Sequence, residues 1–297
     1  MSLKKRLIKK QQEKKARWDT IELDYALSWV LAAIGQEPAS KEQLIFKGGT
    51  CLKKCYFGER YRFSQDLDFT ALSTLSDRFL DQSIQKITDI ASELSNQVGD
   101  EIKYSVELYQ EKEPHPFHQR AYLLRAQYPW HRTPLTKIKV EVSRDETLAF
   151  PIQERGILHE YGESILQKIN TYSLEEILAE KFRGILQNQA KFKVKGWVRS
   201  RVRDFYDLWH ILNDFKGSLN LQGFEEAFVQ KCLAKNLHFK NYQQFFNQAE
   251  YLLEVKRDWE QHLQGLVNEL PDFEKTIQAL EKLSADIFKG KQCQERE

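Results

Sequence analysis

The spacing of apolar positions changes once along the chain. From Thr20 to Gly35 (TIELDYALSWVLAAIG) they recur with a helical period, and the run stops at a glycine. QLIFKG then predicts a short strand, and GTCLKKCYF a helix that opens directly behind two glycines. DLDFTAL alternates and predicts a second strand. DRFLDQSIQKITDIASELSNQ predicts a helix with Phe79, Ile84, Ile87, Ile90 and Leu94 toward one side. EIKYSVELY, AYLLRAQY and TKIKVEVS predict three more strands. From Ser173 onward the pattern is helix after helix. The expected fold class is α+β, a mixed-sheet domain followed by an all-helical one. The join is expected between Pro151 and Tyr172, giving domains 1–160 and 161–297. No internal repeat is visible.

Two aspartates interrupt the second strand. Residues two apart on a strand share a face, so Asp66 and Asp68 project together while Leu67 and Phe69 anchor the other side. Paired carboxylates suit Mg²⁺, which takes oxygen ligands and fills its shell with water and substrate phosphates. Two acids alone make a weak site. In KIKVEVS the positions Ile138, Val140 and Val142 form one face and Lys137, Lys139 and Glu141 the other, so Glu141 is the expected third ligand if the strands are neighbours. Taken singly, each strand is better explained by a polar face turned to water; the combination with a glycine turn is what points to a site. Ahead of the aspartates, Gly48-Gly49-Thr50 ends an apolar run. Glycines let a ligand approach the backbone, a helix start offers free N–H groups, Lys47 adds charge, and Ser64 a hydroxyl. Together these predict a triphosphate held between a glycine edge and metal ions.

The helical half offers further candidates. In SLEEILAEKFRGIL, Lys181 falls inside the apolar arc and must snorkel, pair or meet something negative. In RVRDFYDLWHI, Asp204 lies at the border of the apolar side set by Val202, Phe205, Trp209 and Leu212. Arg203 and Asp207, four apart, read as a surface pair. Arg183 and Arg203 are candidate phosphate or RNA contacts.

Charge is balanced overall, with a formal net of +2, so it demands no nucleic-acid partner. Locally it is not balanced. MSLKKRLIKKQQEKKAR is basic, and KFKVKGWVRSRVR (Lys191 to Arg203) contains no acid. Lys191, Lys193, Lys195, Arg199, Arg201 and Arg203 are therefore candidate RNA contacts. A solvated helix face or a loose arm accounts for such runs as well. No apolar stretch suits a secretory leader or a membrane span. Cys51, Cys55, Cys232 and Cys293 form no CxxC pair and fit reduced thiols, so a cytoplasmic location is expected. His115, His118 and His131 show no metal-ligand spacing, and no serine triad is apparent.

FKGGTCLKKCYF…RYRFSQDLDFT, with KIKVEVS, LAEKFRGIL and RVRDFYDLWHI, resembles the AbiEii toxin family across roughly residues 44 to 212. The resemblance rests on the combination of KGGT, RxSxDxDF and RDxYDL. It implies a minimal DNA-polymerase-β-like nucleotidyltransferase domain, NTP use with Mg²⁺ or Mn²⁺, and a bacterial toxin of abortive infection and phage defence. It also implies a cognate antitoxin, often with a winged-helix DNA-binding region. MenT-type relatives transfer nucleotides to the 3′ end of tRNA and so block aminoacylation. By resemblance Lys181 is the family's lysine needed for activity, and Asp204 matches its fourth motif. Two departures stand out. The interval from Gly49 to Asp66 is longer than is usual in the wider superfamily, though typical of this branch, and Glu141 stands where aspartate is common.

The expected activity is metal-assisted transfer of NMP from an NTP to RNA. Asp66, Asp68 and Glu141 would hold metal, and Lys47, Gly48, Gly49, Thr50, Ser64 and Lys181 would grip the nucleotide. Asp204 would orient Lys181. The rivals are an NTP-dependent kinase or metal-dependent nuclease using the same carboxylates, and a non-catalytic GTP- or RNA-binding protein.

Overall fold

A computed structural model describes residues 1–72, 75–108 and 119–288. His115, His118 and Cys293 lie outside the described residues. By internal contacts the chain forms two units. The first comprises Met1–Glu146, Ile152–Tyr172 and Gly265–Asn268; the second comprises Thr147–Pro151, Ser173–Gln264 and Glu269–Glu297.

The first unit is built on a seven-stranded mixed sheet. Its strands are β1 (Leu44–Lys47), β2 (Asp66–Ala71), β3 (Lys103–Leu108), β4 (Arg120–Gln127), β5 (Thr136–Ser143), β6 (Gln153–Gly156) and β7 (Lys168–Thr171). Their order is β3-β4-β5-β2-β1-β7-β6. β2–β5 and β1–β7 run parallel; the other neighbours are antiparallel. All five strands expected from alternation are present. β6 and β7 had no such signal, since each is four residues long and lacks an apolar repeat. They are strands because β7 pairs with β1 and β6 with β7.

One face of the sheet is closed by helices. α1 (Leu3–Lys14) precedes α2 (Trp18–Gln36), α3 (Pro38–Gln43), α4 (Gly48–Cys51) and α5 (Asp77–Gln97). α2 is buried nearly all round, Ile21, Tyr25, Ala26, Leu27, Val30, Leu31 and Ile34 together with the acids Glu22 and Asp24, as a helix wrapped by neighbours is. It packs on α5, β5 and β7. It also passes through Gly35 and ends one residue later than the glycine suggests. The buried side of α5 is set by Leu80, Ile84, Ile87, Ala91 and Leu94, slightly rotated from the expected stripe.

The basic N-terminus is a docked helix. Leu3 and Leu7 are buried, Arg6 pairs with Asp100 and Glu163, and Lys10 Nζ lies 2.5 Å from Glu59 Oε1. The segment is therefore anchored as a helix rather than loose, while Lys4 and Lys5 stay exposed.

The second unit is helical: α6 (Leu174–Lys195), α7 (Val202–Phe215), α8 (Phe224–Leu233), α9 (Ala249–Leu263) and α10 (Phe273–Ile287). Ser173 caps α6 by accepting from the Glu176 N–H. The core of this unit is aromatic, with Phe182, Phe228, Phe245 and Phe288 in mutual ring contact. No described helix is long and apolar enough to cross a membrane.

Candidate active site

β2 and β5 bring the acids of two sequence-distant segments to one face. In their parallel register Asp68 faces Glu141 and Asp66 faces Lys139. Antiparallel β1 sets Lys47 opposite Asp68 on the other side. Leu67, Phe69, Val140 and Val142 fill the reverse face and are fully buried, which fixes the register, because a one-residue slip would drive the carboxylates into the core. Asp66, Asp68 and Glu141 are all half-buried.

The glycine turn abuts these acids. Gly48 has φ +79°, and a Cβ there would lie 2.5 Å from Asp68 Oδ2. The carboxylate therefore rests against bare backbone. A Cβ at Gly49 would lie 2.4 Å from Arg62 Nη2 and 3.2 Å from Ser64 Oγ. Gly48 is required by its left-handed backbone and by the carboxylate against it, whereas a Cβ at Gly49 would displace the Arg62 guanidinium. Behind the turn, α4 continues as a π-helical run, Leu52–Phe57.

Each remaining candidate of this unit has a definite place. Thr50 is buried, and its hydroxyl donates to the main-chain oxygen of Asp66, tying the turn to β2. Ser64 Oγ lies 3.5 Å from Asp66 Oδ1. Lys47 is buried with its ammonium 5.6 Å above the Tyr172 ring. Glu141 Oε1 accepts from Lys139 Nζ at 2.9 Å. Among the described residues no group of three or more His, Cys, Asp or Glu side chains is arranged as a ready metal site. The donor chemistry nevertheless fits a hard divalent cation. Asp66 and Asp68 supply hard oxygens on one face, and Glu141 is held one strand away by a lysine. Such a cation accepts most of its shell from water and phosphate oxygens.

Arg62 is a member of the site that periodicity did not single out. It is buried, with its guanidinium against Gly49 and Nη1 3.3 Å from the Phe63 carbonyl oxygen. A buried guanidinium on a glycine turn suits phosphate oxygens. It is the arginine that opens the RxSxDxDF run, although no role was expected of it there. Lys139 was likewise missed, since it reads as an exposed lysine until the register sets it beside Glu141.

In the second unit, Lys181 is 8% exposed and its ammonium sits between two acids. It lies 2.8 Å from Asp204 Oδ1 and 2.7 Å from Asp207 Oδ2. The expectation that Asp207 sits at the surface is thereby corrected. Asp207 is fully buried, because α7 turns it toward α6 with Phe205, Leu208 and Ile211. Asp204 also meets Arg201 Nη1 at 3.3 Å. Arg183 is buried. Lys191, Lys193, Lys195, Arg199 and Arg201 are exposed, and Arg203 is half-buried.

Asp207→Ala would strip the ammonium of its fully buried partner. Deleting one member of a buried pair costs about 3–5 kcal/mol; with Asp204 still in place, about 2 kcal/mol is expected, read as a lower urea midpoint at unchanged m-value.

The family model described as nucleotidyl transferase AbiEii toxin, type IV TA system, matches residues 29–282. The chain belongs to the AbiEii family. No protein of curated function matches the sequence. Among solved structures, the chain is similar to MenT4, a nucleotidyltransferase toxin from Mycobacterium tuberculosis H37Rv. The TM-score is 0.60 at 20% identity, over 91% of this chain and 84% of that one. It is also similar to an H. pylori protein assigned as a nucleotidyltransferase, with TM-score 0.53 and 17% identity, over 91% of this chain and 95% of that one. At these identities the two structures speak for the fold. The family match makes this AbiEii protein one of a family of nucleotidyltransferase toxins and brings with it the expectation of an antitoxin partner.

The glycine turn gives a direct check of the site. Gly48→Ala would place a Cβ on Asp68 Oδ2 and force a non-glycine residue to φ +79°. A backbone penalty of about 1–2 kcal/mol is expected, together with an activity loss on the order of 10²-fold from the displaced carboxylate.

Proposed function

We propose that this AbiEii protein transfers an NMP group from an NTP to the 3′ end of an RNA acceptor, with tRNA as the acceptor class. The observation that carries the proposal is the Asp68–Glu141 register beside a glycine that touches Asp68. It is supported by the family match.

Asp66 and Asp68, with Glu141, would hold Mg²⁺ or Mn²⁺, which supplies charge neutralisation at the attacking and leaving oxygens. The chain's own residues do the remaining work. Gly48 and Gly49 give the triphosphate access to bare backbone. Arg62, Lys47 and Ser64 offer positive charge and a hydroxyl next to that edge. The acceptor hydroxyl attacks the α-phosphorus, a new P–O bond forms, the α–β bond breaks, and pyrophosphate leaves. The hydroxyl proton passes to Glu141 or to solvent, and Lys139 holds the Glu141 carboxylate in position. Catalysis of this type rests on positioning and electrostatics rather than on a protein nucleophile. Lys181 and Asp204 keep their family-derived assignment, activity-linked lysine and its orienting acid, as part of the proposal. An antitoxin partner, with the winged-helix DNA-binding region that the resemblance implies, completes it.

The deciding experiment supplies α-labelled and γ-labelled NTPs with total RNA and a divalent cation. Label from the α position on RNA is expected. Label from the γ position would indicate a kinase, and shortened RNA without label a nuclease; either would overturn the proposal.

A further inference from the structure

Five of the six tryptophans contact another aromatic ring. Trp18 meets Trp130, Trp29 meets Tyr25, Trp130 also meets Tyr128, Trp209 meets Tyr206, and Trp259 meets Phe273. Trp197 is the exception. It is 70% exposed and touches no ring among the described residues. Nearby Val194 is 85% exposed. An indole in water, unsupported by packing, is not explained by the stability of the unit.

The segment that carries it is firmly built. α6 ends at Lys195, and Gly196 at φ +74° reverses the chain while its N–H bonds back to the Phe192 oxygen at 2.8 Å. On the far side, Ser200 Oγ donates to Asp258 Oδ2 at 2.7 Å and Val202 is buried. Trp197 is therefore displayed from a short turn pinned at both ends, not from a loose loop. Flanking it in sequence are Lys191, Lys193, Lys195 and Arg199, all exposed and none within ion-pair distance of a described acid. Elsewhere in this unit exposed cations do find acids, as in Lys216–Asp286 and Lys256–Glu274. Cations left unneutralised on both sides of a bare indole match the chemistry of single-stranded nucleic acid, where backbone charge and open base faces alternate. A duplex offers the charge but hides the faces, and an acidic protein surface would not need the ring.

We infer that Trp197 is a stacking platform for an unpaired nucleobase of RNA, with Lys191, Lys193, Lys195 and Arg199 holding the flanking phosphates. This rests on the RNA-acceptor reading above and narrows it to an acceptor presenting an unpaired stretch.

The test uses Asp66→Asn protein without nucleotide, so that binding is separated from transfer. A short fluorescein-labelled oligoadenylate is titrated and followed by anisotropy at several salt concentrations. Trp197→Ala is expected to weaken binding roughly tenfold, the range for losing one base–aromatic stack, with the salt slope unchanged. Trp197→Phe should restore most of the affinity. Lys191→Gln, Lys193→Gln and Lys195→Gln together should flatten the salt slope. An abasic ribose-phosphate oligomer should bind wild-type Trp197 protein no better than oligoadenylate binds the alanine variant. Equal affinity of the Trp197→Ala variant and its parent would overturn the inference. So would an abasic oligomer binding as tightly as oligoadenylate, or a loss seen equally with duplex RNA or polyglutamate. None of these outcomes touches the α-label experiment, so the failure of this inference and of the transfer reading are distinguishable.

Discussion

Asp66→Asn is expected to lower nucleotidyl transfer by on the order of 10³-fold or more while leaving the protein folded. Asparagine keeps the shape of the side chain and removes its charge. The charge is what asparagine cannot supply: Ser64 gives Asp66 only a long contact at 3.5 Å, and Asp66 is half-buried at the first residue of β2. A carboxylate so placed is not structurally required, so its loss should appear in chemistry rather than in stability. Removing one preorganised electrostatic group from a transition state costs on the order of 10²–10³-fold, and a residue that also holds the cation costs more. Asp68→Asn should behave alike. The measurements are incorporation of α-label into RNA and, in parallel, a thermal melt. Full α-label incorporation by a folded Asp66→Asn protein would remove Asp66 from the catalytic site.

Asp24→Ala should have the largest effect on stability. Asp24 of α2 and Lys54 of the π-helical run behind the glycine turn are both 1% exposed, with 2.7 Å between carboxylate and ammonium. Tyr161 donates to Asp24 Oδ2 at 2.9 Å. Burial works against the Asp24 charge, but Lys54 and Lys53 overcome it and hold the carboxyl below its ordinary range. At Lys54 burial wins over Asp24, and the ammonium is pushed below its usual value. Removing the acid leaves an ammonium in an apolar site, which costs about 3–5 kcal/mol. Asp24→Leu combined with Lys54→Met should recover most of that loss, because the pair as a whole gains little from being buried. The pH dependence follows from the depressed carboxyl. The Asp24 contribution is present above the unfolded value of about 3.9 and is lost as pH falls through the lower folded value. The stability gap between wild type and Asp24→Ala should therefore narrow below about pH 4. Urea titrations at neutral and acid pH check both statements.

The central sheet was legible because its strands alternate. Leu67 and Phe69 against Asp66 and Asp68, and Ile138, Val140 and Val142 against Lys139 and Glu141, dictate which side is core. That the two strands are neighbours was only conditional in the sequence; pairing is a long-range choice that alternation does not encode. β6 and β7 were illegible for a related reason, since Gln153–Gly156 and Lys168–Thr171 owe their extension to the edge they join. Arg62 and Lys139 were missed because a buried or register-held cation reads like any surface one. Asp207 was assigned to the surface because the i, i+4 spacing from Arg203 suggested a partner. The turn of α7 relative to α6 supplied a different one in Lys181. The basic N-terminal run read as a solvated helix face or loose arm rather than as a track for phosphates; that it docks was illegible because the acids meeting Arg6 and Lys10, namely Asp100, Glu163 and Glu59, come from distant segments.

Residues Gly265–Asn268 belong to the first unit although the helices before and after them belong to the second. There, the Leu266 carbonyl accepts the Phe63 N–H at 2.8 Å, next to Arg62 and just ahead of Ser64 and Asp66. The last backbone support of the loop leading into the aspartates is thus supplied from far downstream, so a chain shortened ahead of Gly265 would keep every strand of the sheet and lose that bond at Phe63, a net loss of about 1 kcal/mol placed beside the site.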